Sequence, residues 1–269
     1  MSKADAAKTP IITLTTDFGL SDYFVGVLKG VLARSTPHAR LIDITHGIPP
    51  QDTISAAFVV RETLDYFPEG TIHLVVVDPG VGTARRKIIV THKDQFFVAP
   101  DNGVLTYLFN EEGSRVFEVR DTVFLKFKES PTFAGRDHFA PIAALLAQER
   151  SPKDLGKEIF DARQIDGLCC KKDGDGETIV GKIVYVDQFG NGISNVKSDD
   201  LGEKLKNPKA IEADLGRHHL VGLKKNYAEA KAGELSFLIN SSAYVEIFSK
   251  NTSAQKIFKF KLMDDIIIH

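Results

Sequence analysis

Residues 75–90 read VVVDPGVGTARRKIIV. The apolar run at 74–77 ends in a carboxylate, Asp78, followed at once by Pro79, Gly80 and Gly82 and then by Arg85 and Arg86. A short aliphatic run bounded by turn formers is the pattern of a strand buried on both faces. A plain turn accounts for the proline and the glycines. It does not account for an acid where the strand meets the loop, or for two arginines just beyond it.

The same grammar repeats on either side. Residues 11–15, 41–44 and 71–77 read as strands, and 23–32 and 53–66 carry apolar residues at helical spacing. Residues 88–90 and 96–99 look like a hairpin pair, with further helices at 103–108 and 141–148. Strands alternating with helices imply βαβ units, and such sheets place ligands beyond the carboxyl ends of their strands. After Arg150 the composition changes, with Pro152 and the tract KKDGDG at 171–176. Short β-type runs then follow at 178–187, 219–223, 234–239, 243–248 and 256–262. The expected fold is an α/β N-terminal domain with a mainly parallel sheet over residues 1–155 and a linker and loop over 156–177. A smaller all-β, barrel-like C-terminal domain takes 178–269.

With 269 residues, 43% of them hydrophobic, the chain has ample material for a core, and its length fits one large domain or two modest ones. A net charge of −2 with no block of like charge gives nucleic acid and anionic membrane no electrostatic footing. Adjacent Cys169 and Cys170 suit neither an ordinary disulfide nor a zinc site, and the opening MSKADAAKTP has no apolar core of a signal peptide. The expectation is a cytoplasmic protein.

Polar residues stand where apolar strands meet turns: Asp17 in TTDFG, Asp43 and His46 in IDITHG, Asp78 in VVDPG, and Asp101-Asn102 in APDNG. Asp and Asn favour such turns by capping helices and tolerating left-handed backbone, so each alone is explained without function. Four at one edge of a sheet would converge on one cleft. No GxxxxGK[ST], GxGxxG, HExxH or GxSxG occurs, and the histidines are scattered rather than spaced as metal ligands. His73, inside a strand, reads as a packed core histidine.

The ordered set ITLTTDFGLSDYFVG, DITHGIPPQD, VVDPGVGTARR, APDNGVL, TFAGRDHFAP, VDQFGNGISN and NSSAYVEIF spans residues 11–248. It resembles the S-adenosyl-L-methionine hydroxide adenosyltransferases, hydrolytic relatives of the fluorinases and chlorinases. The resemblance implies an α/β domain and a β-barrel assembled as a homotrimer with active sites between neighbouring subunits. It implies attack of water or hydroxide on ribose C5′ of S-adenosyl-L-methionine, giving adenosine and L-methionine without a metal or an organic cofactor.

Asp78 and Arg85 stand at the family's catalytic Asp and Arg positions. Arginine presents a fixed fork of donors that can hold a carboxylate in one orientation. The family's catalytic histidine position is occupied by Ala134, and His138, four residues on, is the lesser candidate to stand in for it. For substrate binding the resemblance points to Asp17 on the ribose side, where one carboxylate can accept from both hydroxyls of a vicinal diol. It points also to Asn102, Gly135, Asp187, Phe189, Asn191, Ser241 and Glu246. The Asp187–Asn191 stretch is equally a well-formed hairpin turn. Two other outcomes compete: halide as nucleophile, since the chlorinase shares a glycine at the position of Gly135, and a module that binds S-adenosyl-L-methionine or adenosine with little turnover.

Overall fold

A computed structural model describes residues 9–109, 111–121, 130–174 and 177–269. The first eight residues of the opening segment and the last two of the KKDGDG tract lie outside the described residues. The chain divides into two compact units, the first ending at Ile165 and the second running Asp166–His269.

In the first unit, β1 (Ile11–Thr16), α1 (Phe24–Ser35), β2 (Arg40–Thr45), α2 (Thr53–Thr63), β3 (Ile72–Val76), β4 (Lys87–His92) and β5 (Gln95–Pro100) follow in order. Then come α3 (Thr106–Phe109), β6 (Arg115–Val119), a π-helical turn (Gly135–Phe139) leading into α4 (Ala140–Ala147), α5 (Pro152–Leu155) and β7 (Gly156–Ile159). The sheet order is β2-β1-β3-β5-β4-β6-β7. The expected parallel arrangement holds for β2, β1, β3 and β5 only, whereas β4, β6 and β7 join through antiparallel pairs. Direction reverses at the β4–β5 hairpin, whose two turn residues, Lys93 and Asp94, have φ of 47° and 54°. Positive φ at both centres is the hairpin geometry that matches strand twist.

The central strand β3 is buried throughout. Ile72, Leu74 and Val76 face one layer with Leu28, Leu32, Phe139 and Ile142, while Val75 and Val77 face the other with Val60, Phe97 and Leu108. A side-chain period of two thus feeds two cores, and each large apolar side chain so buried contributes about 1.5–3 kcal/mol. Asp52 starts α2 by accepting the Ser55 N–H at 2.9 Å.

The expected linker is partly sheet. Gly156–Ile159 pairs with β6, and a Cβ on Gly156 would lie 2.2 Å from the Glu118 carbonyl oxygen. Only glycine lets the two backbones approach that closely. Beyond it Asp161 and Arg163 bond to Arg86 and Asp101, which carries the first unit on to Ile165.

The second unit contains β8 (Lys171–Lys172), β9 (Ile179–Val186), β10 (Gly192–Lys197), α6 (Ser198–Leu201), β11 (Glu212–Leu215), β12 (His218–Val221), β13 (Leu235–Ile239), β14 (Tyr244–Ser249), α7 (Ala254–Phe258) and β15 (Asp265–Ile268). All its strand pairs are antiparallel, in the order β12-β11-β15-β9-β10-β14-β13. A Lys224–Leu238 bridge helps to bring the sheet nearly to closure around Ile183, Val196, Phe237 and Ile266. The run at 256–262 is not the expected strand. Ser253 Oγ accepts the Lys256 N–H and starts α7, and Lys259 ends it with φ of 61°.

Candidate active site

Because β2, β1, β3 and β5 run parallel, the turns carrying His46, Asp17, Asp78 and Asp101-Asn102 all emerge at their carboxyl edge. Asp43 lies within β2 rather than at its end. A cavity of about 160 Å³ opens at this edge, lined by Asp17, Asp78, Val76, Thr132, Ala134 and Gly135. Its apolar wall is a cluster of three rings, with Phe24 5.2 Å from Phe133 edge-on and Phe18 within 5.9 and 6.1 Å of them.

The opening stretch now has its physical reason. Arg85 Nε donates to both oxygens of Asp78, at 2.6 and 2.7 Å, and its Nη2 adds a further contact to the same carboxylate. The two side chains are 10% and 6% exposed, so the pair is held largely out of water. Gly80 sits where a Cβ would come 3.0 Å from Arg85 Cδ, and Gly82, at φ 82°, lies against the Pro131 carbonyl. The glycines therefore let the arginine fold back over its own loop. Arg86 turns away, donating to Asp101 at 2.7 Å and to Asp161 at 2.7 Å.

Asp17 Oδ2 accepts the backbone N–H of Gln51 at 2.8 Å, which fixes one oxygen. Ala134, 5% exposed, begins the π-helical turn, and Gly135 packs under the Phe18 and Phe133 rings. Asp137 anchors this segment through Arg136 and the Ser130 N–H; burial works against its charge, but these bonds hold its carboxyl below the usual range. His138 is half-buried on the same turn and is not among the residues lining the cavity. Asn102 is also set apart. Its amide donates to the Val77 carbonyl at 2.8 Å and accepts the Val104 N–H at 3.1 Å, which braces the turn after β5.

In the second unit Asp187, Phe189 and Asn191 line a cavity of about 740 Å³ with Tyr227, Ser249 and Ser253. Asp187 accepts the N–H groups of Phe189 and Asn191 at 2.9 and 2.8 Å and the Asn191 amide at 3.0 Å. The turn is thus rigid while Phe189 projects, 77% exposed. Glu246, 3% exposed, accepts from Tyr227 Oη at 2.8 Å and from Asn240 at 3.2 Å. Burial raises its carboxyl above the usual range, with Asp187 adding to the effect. Ser241 is exposed on the turn before β14 and does not line this cavity. Phe18, Phe24, Phe133 and Tyr227 were not singled out by sequence, since an aromatic residue gives no sign of its wall until the fold assembles it. Among the described residues no group of His, Cys, Asp or Glu is arranged to hold a metal ion, and no helix is long and apolar enough to cross a membrane.

Residues 12–156 match the family model for the SAM hydroxide adenosyltransferase N-terminal domain, and residues 181–267 match that for its C-terminal domain. The chain belongs to the SAM hydroxide adenosyltransferase family. It is 41% identical over 245 residues to the (R)-S-adenosyl-L-methionine hydrolase of Salinispora arenicola, with 90% of each chain covered. Over 268 residues it is 32% identical to the enzyme of that name from Methanocaldococcus jannaschii, covering 96% of this chain and 95% of that one. A fluorinase of an Actinoplanes species is 27% identical over 218 residues, covering 71% of this chain and 73% of that one. Among solved structures, a conserved protein from Thermotoga maritima superposes with a TM-score of 0.85 at 34% identity, covering 96% and 99% of the two chains.

Proposed function

We propose that the chain hydrolyses S-adenosyl-L-methionine to adenosine and L-methionine. The observation that carries this is the buried Asp78–Arg85 pair, whose carboxylate lines a cavity together with Asp17. Curated relatives at 32–41% identity bear the name (R)-S-adenosyl-L-methionine hydrolase, which supports the same substrate here. A water oxygen bonds to C5′ as the C5′–S bond breaks, its electron pair passing to sulfur to leave a neutral thioether. The water proton leaves by way of Asp78. Arg85 keeps that carboxylate in one orientation and lowers the cost of hydroxide character on the attacking oxygen. No general acid is needed, because the leaving group departs neutral.

Asp17 holds the ribose diol, and Asp187, Phe189, Asn191, Ser241 and Glu246 serve the methionine and base portions. A cavity of about 160 Å³ is smaller than ligand sites usually are. Leu20 and Tyr23, 78% and 68% exposed just beyond Asp17, suit cover by a neighbouring subunit in a homotrimer.

Ala134 favours a second reading, a binding module with little turnover, because a methyl group stands where the family places its histidine. Incubation with S-adenosyl-L-methionine, first without halide and then with chloride, tests all three outcomes. Adenosine and methionine support hydrolysis and 5′-chloroadenosine supports halide transfer. Tight binding without any nucleoside product leaves the module.

A further inference from the structure

His46 is buried, with 2% of its side chain exposed, and it clasps both ends of the turn that supplies Asp17 and Phe18 to the cavity. Its carbonyl accepts the Gly19 N–H at 2.8 Å, and its Nδ1 lies 2.8 Å from Thr16 Oγ1. Thr16 Oγ1 accepts the Phe18 N–H at 3.2 Å, which leaves its own hydrogen for Nδ1. The ring's other nitrogen is then the protonated one, and it faces Asp43 Oδ1 at 3.2 Å. Asp43 in turn takes Lys29 Nζ at 2.6 Å. The bonds run one way, from the Phe18 amide through Thr16 to His46, while Lys29 donates to Asp43 and the second His46 nitrogen faces the same carboxylate. The directionality fixes the ring's tautomer and the backbone on both sides of Asp17.

We propose that His46 is a positioning residue for ribose recognition, holding the Thr16–Gly19 turn so that the free oxygen of Asp17 meets the diol. This rests on the assignment of Asp17 to the ribose under Proposed function. Asp17 has one oxygen on the Gln51 amide, so the placement of its turn relative to Gln51 bears on where the other points. Hydrogen bonds to a charged group discriminate by about 10- to 100-fold when the partner hydroxyls are removed.

The test is the ratio of Kd for 2′,3′-dideoxyadenosine to Kd for adenosine, by calorimetry, in the wild-type chain and in His46→Ala, His46→Asn and Thr16→Val. The wild type is expected to show a ratio of about 10 or more. His46→Ala and Thr16→Val bring it near unity. His46→Asn, whose amide can stand at the Nδ1 position, restores it. A merely destabilising change weakens both nucleosides together and leaves the ratio intact. If His46→Ala does not fold, Thr16→Val decides, since it is nearly isosteric and deletes the same link. An undiminished ratio in the variants overturns the positioning role while leaving the function standing. Equal binding of both nucleosides by the wild type removes Asp17 from the diol and the proposal with it. Binding of neither nucleoside overturns the adenosyl-site reading itself.

Discussion

Arg85 reaches back seven residues to grip Asp78 with its Nε shared between both carboxylate oxygens, at 2.6 and 2.7 Å. The same guanidinium lies 5.6 Å from the centre of the Phe139 ring, so an aromatic face supports the charge from behind. Asp78 is thereby fixed in a place where water is scarce and a fork of donors is permanent.

That arrangement predicts different outcomes for its two members. Asp78→Asn keeps the shape and removes the charge, so kcat should fall by about 10²–10⁴ while the Kd for adenosine stays unchanged. Arg85→Lys keeps the charge and loses the fork, and should also lower kcat, because a point charge cannot hold both oxygens. Single-turnover assays with separate binding measurements check both. Full activity in Asp78→Asn would remove the pair from the chemistry.

Ala134 gives the opposite prediction, a gain. It lines the cavity together with Asp78, Thr132 and Gly135. Ala134→His should raise the rate of adenosine release by about 10²–10⁴, the usual contribution of a positioned acid–base group. No acceleration in a folded variant would show that the chain manages its water without a histidine at this position.

His73 predicts how stability depends on pH. Its ring is stacked 4.5 Å from Phe97 between Thr13 Oγ1 and Gln95 Oε1, each at 2.8 Å. Gln95 Nε2 donates to the Phe67 carbonyl at 2.8 Å, so Oε1 faces the ring and the ring Nε2 carries the hydrogen. Burial pushes the imidazole down to about 4. The unfolded chain therefore binds the extra proton first, between its ordinary value near 6.5 and about 4. Stability from this residue is intact above that window and is lost as the pH falls through it, by about 3 kcal/mol in full. Urea midpoints from pH 7 to pH 4, compared with His73→Gln, should show the wild type losing more. Parallel profiles would refute this assignment.

Two glycines predict opposite signs. Gly190, in the Asp187–Asn191 turn, has φ of 84°, and a Cβ there would sit 2.0 Å from Ser253 Oγ. Gly190→Ala should cost about 1–3 kcal/mol. Gly26 is exposed within α1 with nothing within 4 Å of such a Cβ, so Gly26→Ala should stabilise by about 0.5–1 kcal/mol. Denaturant titrations decide, and a stable Gly190→Ala would mean the turn can rebuild itself.

What the sequence determined by itself was the set of strand ends. Buried aliphatic runs halted by Asp, Pro and Gly place Asp17, Asp78 and Asp101 correctly, because turn chemistry and side-chain period act over a few residues. Local pattern was weaker for β7, whose GKEI offers little to bury, and for α7, where a serine cap and a left-handed lysine outweigh an alternating run. Only the tertiary structure decided which of two adjacent arginines grips Asp78, since both follow the same glycines and differ in what lies across from them. It alone gathered Phe18, Phe24 and Phe133 into one wall, gave Asn102 to the backbone, and set His46 beneath the Asp17 turn. Each depends on residues tens of positions apart, joined by parallel strands whose order the local sequence does not encode.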